Sequence, residues 1–463
     1  VFRLSDKEVQ VGYKEKIFLN SGDKSPPLGK MQKIVDRELI REENNATPLP
    51  EIAHLVLTVG RMLLEWGANA RTVHEAISST ATGLGCDSAE AFCQHAAIIT
   101  VLRRGTESHT QMGKVGEHVV NLRRTQNLQE IIQQVVHCDL TCAEAQREVE
   151  LVPTKTKHYP IWFICLATGL ACSAFGRLFK SDWVSFLPTL IGAGVGQYVR
   201  HTLFHKKYNI FLTAGTVSLV AALLAGFGAR ALGSVHLPLA MVASVLLLVP
   251  GIPVLNAQID VIEGKPNLAA ARALRITFLL LFMALGLALA QGVVLLGVPT
   301  LPESKTVELD LWIRILHQAF FGGLAAAGFG VLFNTPPRIL GLCFASGAFA
   351  LAIRTVGQSY DLGLPLSSFI AALALATVDR TWHQSQTPLG SVLAVVGCIA
   401  MVPGSLAAKG LMGLFAVIRA KPEDTLLLAS TAETMIIVTF TLVAIGIGLI
   451  IPTLIYPQKQ ISV

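Results

Sequence analysis

The pattern of polar and apolar positions changes character once along the chain. Through residue 157, short apolar patterns alternate with charge; from His158 onward, charges retreat into brief clusters between long uncharged stretches. In the first part, Ile52, Leu55, Val56, Val59, Leu63 and Trp66 recur at three- and four-residue spacing, which places them on one helical face. Val73, Ile77, Ala81 and Leu84 mark a second helix. The β-branched run 96–102, followed by Arg103-Arg104-Gly105, predicts a strand and a turn into a polar strand near 106–112. Asn127 with Glu130 reads as a helix cap, and 140–151 as a further charged helix. Residues 1–48 read as a flexible polar tail that need not pack. Residues 49–157 read as a small mixed α/β domain on the cytoplasmic side.

The uncharged intervals that follow predict a polytopic α-helical membrane protein of about ten transmembrane helices. They are 158–176, 183–199, 208–229, 231–259 with a Pro-rich break, 276–302, 315–337, 339–353, 362–378, 381–408 and one within 430–452. A span needs around 20 apolar residues, and hydrocarbon covers such segments where a soluble interior of this size cannot. Small residues inside them, such as Gly192, Gly194 and Gly196, predict close backbone packing. Arg200, Lys206, Lys207, Lys265, Arg272 and Arg275 on one side, against Arg177, Lys180 and Arg230 on the other, favour a cytoplasmic N-terminus. Lys409, Arg419 and Lys421 weaken that bias in the second half.

Val249-Pro250-Gly251 returns as Val402-Pro403-Gly404, 153 residues later, each time after a strongly apolar stretch. The other spans fall into step, which predicts an internal duplication into 158–302 and 303–463, the latter ending in a short tail. An odd number of spans per repeat gives the two five-helix repeats opposite orientation, a pattern of transporters with broken helices. Proline removes a backbone donor and glycine permits the turn, so Pro250, Gly251, Pro403 and Gly404 are candidates for the solute path. A plain kink with packing around it is the alternative.

Composition agrees: 463 residues, 52% hydrophobic and 15% charged, with mean hydropathy +0.56. A formal charge of +6 carries no nucleic-acid footprint. The eight Cys suggest neither a disulfide framework nor a metal quartet, and His137 beside Cys138 and Cys142 is too small a set. No cofactor, metal or catalytic cluster is expected, and so no enzyme. Asp260 lies ten residues beyond Pro250 at an apolar edge, and Glu433 precedes a long uncharged stretch. Either carboxylate is a candidate proton carrier, since alternation between dry and wet surroundings would bind and release a proton; an interfacial acid near Lys265 is the plainer alternative for Asp260. Asn256, Gln258, Gln197, Gln291 and Asn334 are amides in apolar surroundings, suited to a zwitterion or to helix packing. Asp379 and Arg380 read as loop residues, and His317 as a helix histidine.

Several segments together resemble the threonine/serine exporter family: LLEWGANARTVHEAISSTATGLG at 63–85, AIITVLRRG, LLLVPGIPVLNAQIDVIEGKP at 246–266, FGVLFNTPPR ending at Arg338, and AMVPGSLAAKGLMGL at 400–414. The resemblance covers roughly 50–456 and looks like the form with both membrane halves in one chain. It implies a carrier of the bacterial inner membrane exporting small neutral hydroxylated amino acids, driven by the proton motive force. The matching positions are Glu65 and Gly67 in the front domain, Pro250, Gly251, Asn256 and Asp260 in the first half, and Asn334, Pro403 and Gly404 in the second. The second repeat departs from the first in having Gly413 opposite Asp260. Expected partners are the amino acid, a proton and membrane lipid, with self-association left open. A channel, or a membrane scaffold for the front domain, is the other function class.

Overall fold

The computed structural model describes residues 28–296, 310–383, 390–404, 406–407, 409–410, 413, 417 and 425–455. The boundary expected near 302, the basic residues Arg419 and Lys421, the tail before residue 28 and the C-terminal tail lie outside the described residues. The chain divides into two compact units, one of residues up to 119 with 124–156, the other of 120–123 with 157–460.

In the front unit, α1 (Leu28–Ala46), α2 (Leu49–Glu65) and α3 (Ala70–Gly83) precede an antiparallel meander of β1 (Ser88–Cys93), β2 (Ala97–Arg104) and β3 (Glu107–Lys114). Helices α4 (Leu122–Val136) and α5 (Cys142–Lys155) follow. The helical stripes read from the sequence are the core: Ile52, Leu55, Val56, Val59, Leu63, Val73, Ile77, Ala81 and Leu84 are all buried. Strand β2 alternates, burying Ile98, Thr100 and Leu102 on one face. Part of the expected tail packs instead. Val35 on α1 is buried, Asn44 accepts from the Cys142 N–H (2.8 Å), and Arg37 pairs with Asp139 (2.8 Å). The capping expectation at Asn127 also fails, because α4 already begins at Leu122 and Asn127 lies within it, donating to Thr156 Oγ1 (3.1 Å). A capping box stands instead at Thr141 and Glu144, opening α5.

The membrane unit runs α6 (Ile161–Leu178), α7 (Phe186–His205), α8 (Ile210–Ala231), α9 (Leu237–Ser244), a 3-10 turn (Leu246–Leu248), α10 (Gly251–Ile262) and α11 (Pro266–Val294). Then come α12 (Leu311–Leu332), α13 (Pro337–Ser359), α14 (Gly363–His383), α15 (Gly390–Ile399), helical residues from Gly404 and α16 (Thr425–Ile455). Seven of the described helices are long and apolar enough to cross a membrane: α6, α8, α11, α12, α13, α14 and α16. They make the protein polytopic. The ten expected spans differ at three places. Helix α7 carries Arg200 in its last turns, and the other two are interrupted at Pro250 and Pro403. The shortest expected spans, 339–353 and 362–378, are full helices, since α13 continues through Arg354 and α14 through Asp379 and Arg380. Asp379 is therefore a buried helix residue, not a loop one.

Helix α6 packs on α7 and α12 on α13, α8 packs on α11 and α14 on α16, and α6 meets α12. Glycine brings backbones together at these contacts: a Cβ on Gly192 of α7 would stand 2.6 Å from the Ala221 carbonyl of α8.

Candidate functional site

The two Pro-Gly positions form the same backbone turn. Proline lacks an N–H and its ring opposes the preceding turn, so the helix must open there. At the first, Leu248 N–H donates to Val245 O (3.0 Å) and Val249 N–H to Leu246 O (3.1 Å). Pro250, at φ −79° and ψ 69°, then sits at the centre of an inverse γ-turn closed by Gly251 N–H on Val249 O (2.9 Å). Val254 N–H on Pro250 O (3.0 Å) restarts the helix. Each bond recurs 153 residues later: Met401 to Cys398 (2.9 Å), Val402 to Ile399 (3.0 Å), Gly404 to Val402 (2.7 Å) and Ala407 to Pro403 (2.9 Å).

The turns face each other. A Cβ on Gly251 would stand 2.7 Å from Ile399 Cγ2, and one on Gly404 would stand 3.0 Å from Leu246 Cδ2. Leu246 and Ile399 are themselves 153 residues apart, so each break's glycine packs against the same position of the other. Between them lies a cavity of about 10 Å³ lined by Val249, Val402, Phe175, Phe179 and Phe329, room for about one water. Phe175 stacks with Phe179 (6.1 Å) on α6, Phe329 stacks with Phe333 (5.7 Å) on α12, and Phe175 meets Phe329 edge-on (5.9 Å). The centre is lined by apolar side chains.

The polar groups sit on the arms that leave it. On α10, Asn256 and Asp260 are four residues apart on one face and both are buried. Asp260 Oδ2 accepts from Arg272 Nη1 of α11 at 2.5 Å, with the two side chains 0% and 6% exposed. This corrects the expectation for Arg272 and gives Asp260 a partner beyond Lys265. Arg272 is an interior counter-ion rather than a loop charge reporting topology. The chain turns back at Gly264 (φ 72°), which brings residue 272 to residue 260, although Lys265 is the nearest base along the sequence. Gln258, on the same helix, lies against Gly446 of α16. Arg354 of α13 was missed as well. Its Nη1 donates to the Met401 carbonyl (2.9 Å), which the break leaves available.

The other candidates lie elsewhere. Asn334 ends α12 in a left-handed conformation (φ 56°), where asparagine is tolerated. Its Nδ2 donates to Asn121 Oδ1 (3.2 Å) and Lys157 O (3.1 Å), while its buried Oδ1 meets no donor. Glu433 is on the exposed side of α16. Glu65 accepts from the Gly116 N–H (2.7 Å), and Gly67 stops α2 at φ 88°, so both shape the front unit. His317 packs its ring on Phe321 (4.7 Å). Outside the spans, Asp182 accepts from Ser234 Oγ and from the Ser185 and Val235 N–H groups. Burial pushes its carboxyl up, but these hydrogen bonds outweigh burial and hold it below the usual carboxylate range. Burial pushes the Cys142 thiol up to about 11, and among the described residues no three His, Cys, Asp or Glu gather as a metal group.

A bundle of long apolar helices with helices broken at its centre defines a membrane transporter for small polar solutes. The chain belongs to the threonine/serine exporter family: it matches ThrE over residues 54–294 and a second threonine/serine exporter family of the same name over 318–455. It is 29% identical over 242 residues to "Probable succinate transporter subunit YjjP" of Klebsiella aerogenes, covering 52% of this chain and 93% of the relative. Its identity to the protein of that name from Escherichia coli K12 is 28% over 250 residues, with the same coverage. It is 22% identical over 373 residues to "Pheromone-regulated membrane protein 10" of Eremothecium gossypii, covering 76% of this chain and 48% of that one. No solved structure matches.

Proposed function

We propose that this chain is a secondary carrier exporting small neutral hydroxylated amino acids, threonine and serine foremost, by alternating access of two inverted five-span repeats. The observation that carries the reading is the recurrence of the break, bond for bond, at a 153-residue offset. Counting α7 and the two interrupted helices with the seven long ones gives ten spans, with both termini on the cytoplasmic side of a bacterial inner membrane. Five spans per repeat then place the two breaks in opposite orientation, facing one another at the midplane as half-helix pairs do in carriers. Alignment with one relative over 373 residues supports both halves in one polypeptide, whereas the "subunit" relatives are matched almost whole by about half of this chain.

Asp260 is the first candidate for proton coupling, because it is buried and its partner Arg272 lies on a separate helix. Protonation requires that pair to separate, which ties proton uptake to movement of α10 against α11. Glu433, being exposed, is the second. The path candidates are Pro250, Gly251, Asn256, Asn334, Pro403 and Gly404.

A dicarboxylate as solute is the second reading, favoured by the name of the YjjP relatives, probable succinate transporter subunits. Counterflow in proteoliposomes of the full chain separates the readings. Unlabelled internal threonine should drive transient accumulation of labelled threonine; counterflow of succinate alone would move the assignment to dicarboxylates. Uptake indifferent to internal solute would mean a channel. In Asp260→Asn, pH-gradient-driven flux should vanish while counterflow persists. The same loss in Glu433→Gln alone would transfer the coupling role, and unchanged pH dependence in both would exclude the two acids.

A further inference from the structure

The first half holds a polar void at a place whose counterpart in the second half, among the described residues, is occupied by a leucine. The void lies among α6, α7, α8 and the end of α9, is about 10 Å³ in volume, and is lined by Thr168, Gln197 and Ser244 with apolar neighbours. Thr168 is 4% exposed and its Oγ1 has no hydrogen-bond partner. Helical threonines elsewhere in the bundle, such as Thr355 and Thr441, bond the carbonyl four residues back (2.7 and 2.6 Å). Thr168 does not, and faces the void with its hydroxyl uncommitted. Ser244 Oγ donates to Met241 O (2.8 Å), which leaves its oxygen able to accept. Leu248, of the turn before Pro250, lines the same void, so it adjoins the first break.

The repeat supplies an internal control. At the same offsets of 154 and 153 residues, Thr168, Gln197 and Ser244 become Gly322, Leu351 and Gly397. Leu351 is fully buried and lies over Gly322, its Cγ 2.6 Å from where a Cβ would stand. Space that is polar and open in one half is filled by a leucine in the other.

We infer that Thr168, Gln197 and Ser244 form a subsite for an uncharged hydrogen-bonding group of the solute, a hydroxyl. The lining has no charged side chain, so a carboxylate there would be buried without a counter-charge. A methyl group would leave Thr168 Oγ1 unpaired, which is how a site built for a hydroxyl rejects its deoxy analogue. The void's volume matches one hydroxyl, and the remainder of the solute would occupy the space that opens beside the break.

This subsite rests on the carrier reading, and its test uses pairs differing by one hydroxyl: serine against alanine, and malate against succinate. Whichever pair the full chain carries in counterflow, the hydroxylated member should be preferred by roughly tenfold, the worth of one good hydrogen bond. Thr168→Val keeps shape and should bring the pair to within about twofold by slowing the hydroxylated solute, while Thr168→Ser restores the preference. Gln197→Leu, which installs the second half's residue, should lower the preference in the same sense. Equal transport of both members by the unmodified chain, or a preference unchanged in Thr168→Val and Gln197→Leu, overturns the subsite and leaves the carrier standing; no counterflow of any of the four solutes removes both.

Discussion

The two membrane halves share a backbone and differ in chemistry. Their breaks match in the four backbone hydrogen bonds given above, and the helix ends before them match too: Lys180 and Asn334, 154 residues apart, are both left-handed, each followed by a return bond to Gly176 or Gly330. Yet the first half carries the buried pair Asp260–Arg272 and the polar void at Thr168, where the second has Gly413 and the leucine-filled site at Leu351. The second half contributes Arg354, which satisfies a carbonyl of its own break. The two turns thus share what their geometry demands, because an opened helix in hydrocarbon must place every N–H and C=O. Side chains around the turn are under no such shared demand. Buried polar groups can therefore differ between the halves while the turns stay alike.

The largest test of that division is to remove the charge pair. Asp260→Ala removes the buried carboxylate that Arg272 pairs with and should cost about 3–5 kcal/mol of stability in detergent, by thermal or denaturant unfolding. The double variant Asp260→Ala with Arg272→Met should recover most of it. If Asp260→Ala costs no more than an ordinary surface change, the halves do not differ where this comparison says they do.

The contact between the breaks gives a smaller, more symmetrical effect. Gly251→Val drives a side chain toward the β-branched Ile399, whereas Gly404→Val meets the movable end of Leu246. Overpacking of this kind costs typically 1–3 kcal/mol, and Gly251→Val should sit at the upper end, with Ile399→Ala relieving it. Equal costs without relief would mean that the two breaks do not pack as described.

How much of this was legible in the sequence depends on the range of each interaction. The stripe from Ile52 to Leu63 and the duplicated Val-Pro-Gly were readable, because periodicity and proline chemistry act within a turn or two of chain. The Asp260–Arg272 pair was not, since it crosses a reversal at Gly264 onto the next helix. Cutting spans at charges also shortened α13 and α14, because Arg354 and Asp379 belong to helix interiors whose partners lie on other segments. Helix α1 escaped because only a few of its residues, Val35 and Asn44 among them, are buried in a polar background. The void at Thr168 leaves no mark in the sequence: a threonine in an apolar run reads the same whether or not its hydroxyl is bonded.

The mildest test lies at the rim, again in the first half alone. Asp182 ties the start of α7 to the loop before α9 through Ser185, Ser234 and Val235, and the position 154 residues later is Pro336, which can make no such bonds. Its side chain is 21% exposed, so the hydrogen bonds are only partly exchanged with water. Asp182→Asn keeps the shape but weakens the acceptor, and should cost about 1 kcal/mol near neutral pH. The folded protein holds this carboxyl below its ordinary range, so the unfolded chain takes up the proton first as pH falls. The stabilisation is therefore full above the ordinary aspartate pKa of about 4 and disappears as pH drops through the lower folded value. Unfolding of the unmodified protein and of Asp182→Asn, compared from neutral pH downward, should differ by a constant amount until roughly pH 4 and converge below it. A difference that grows on acidification would mean that the folded protein holds the carboxyl protonated, and would overturn this account of Asp182.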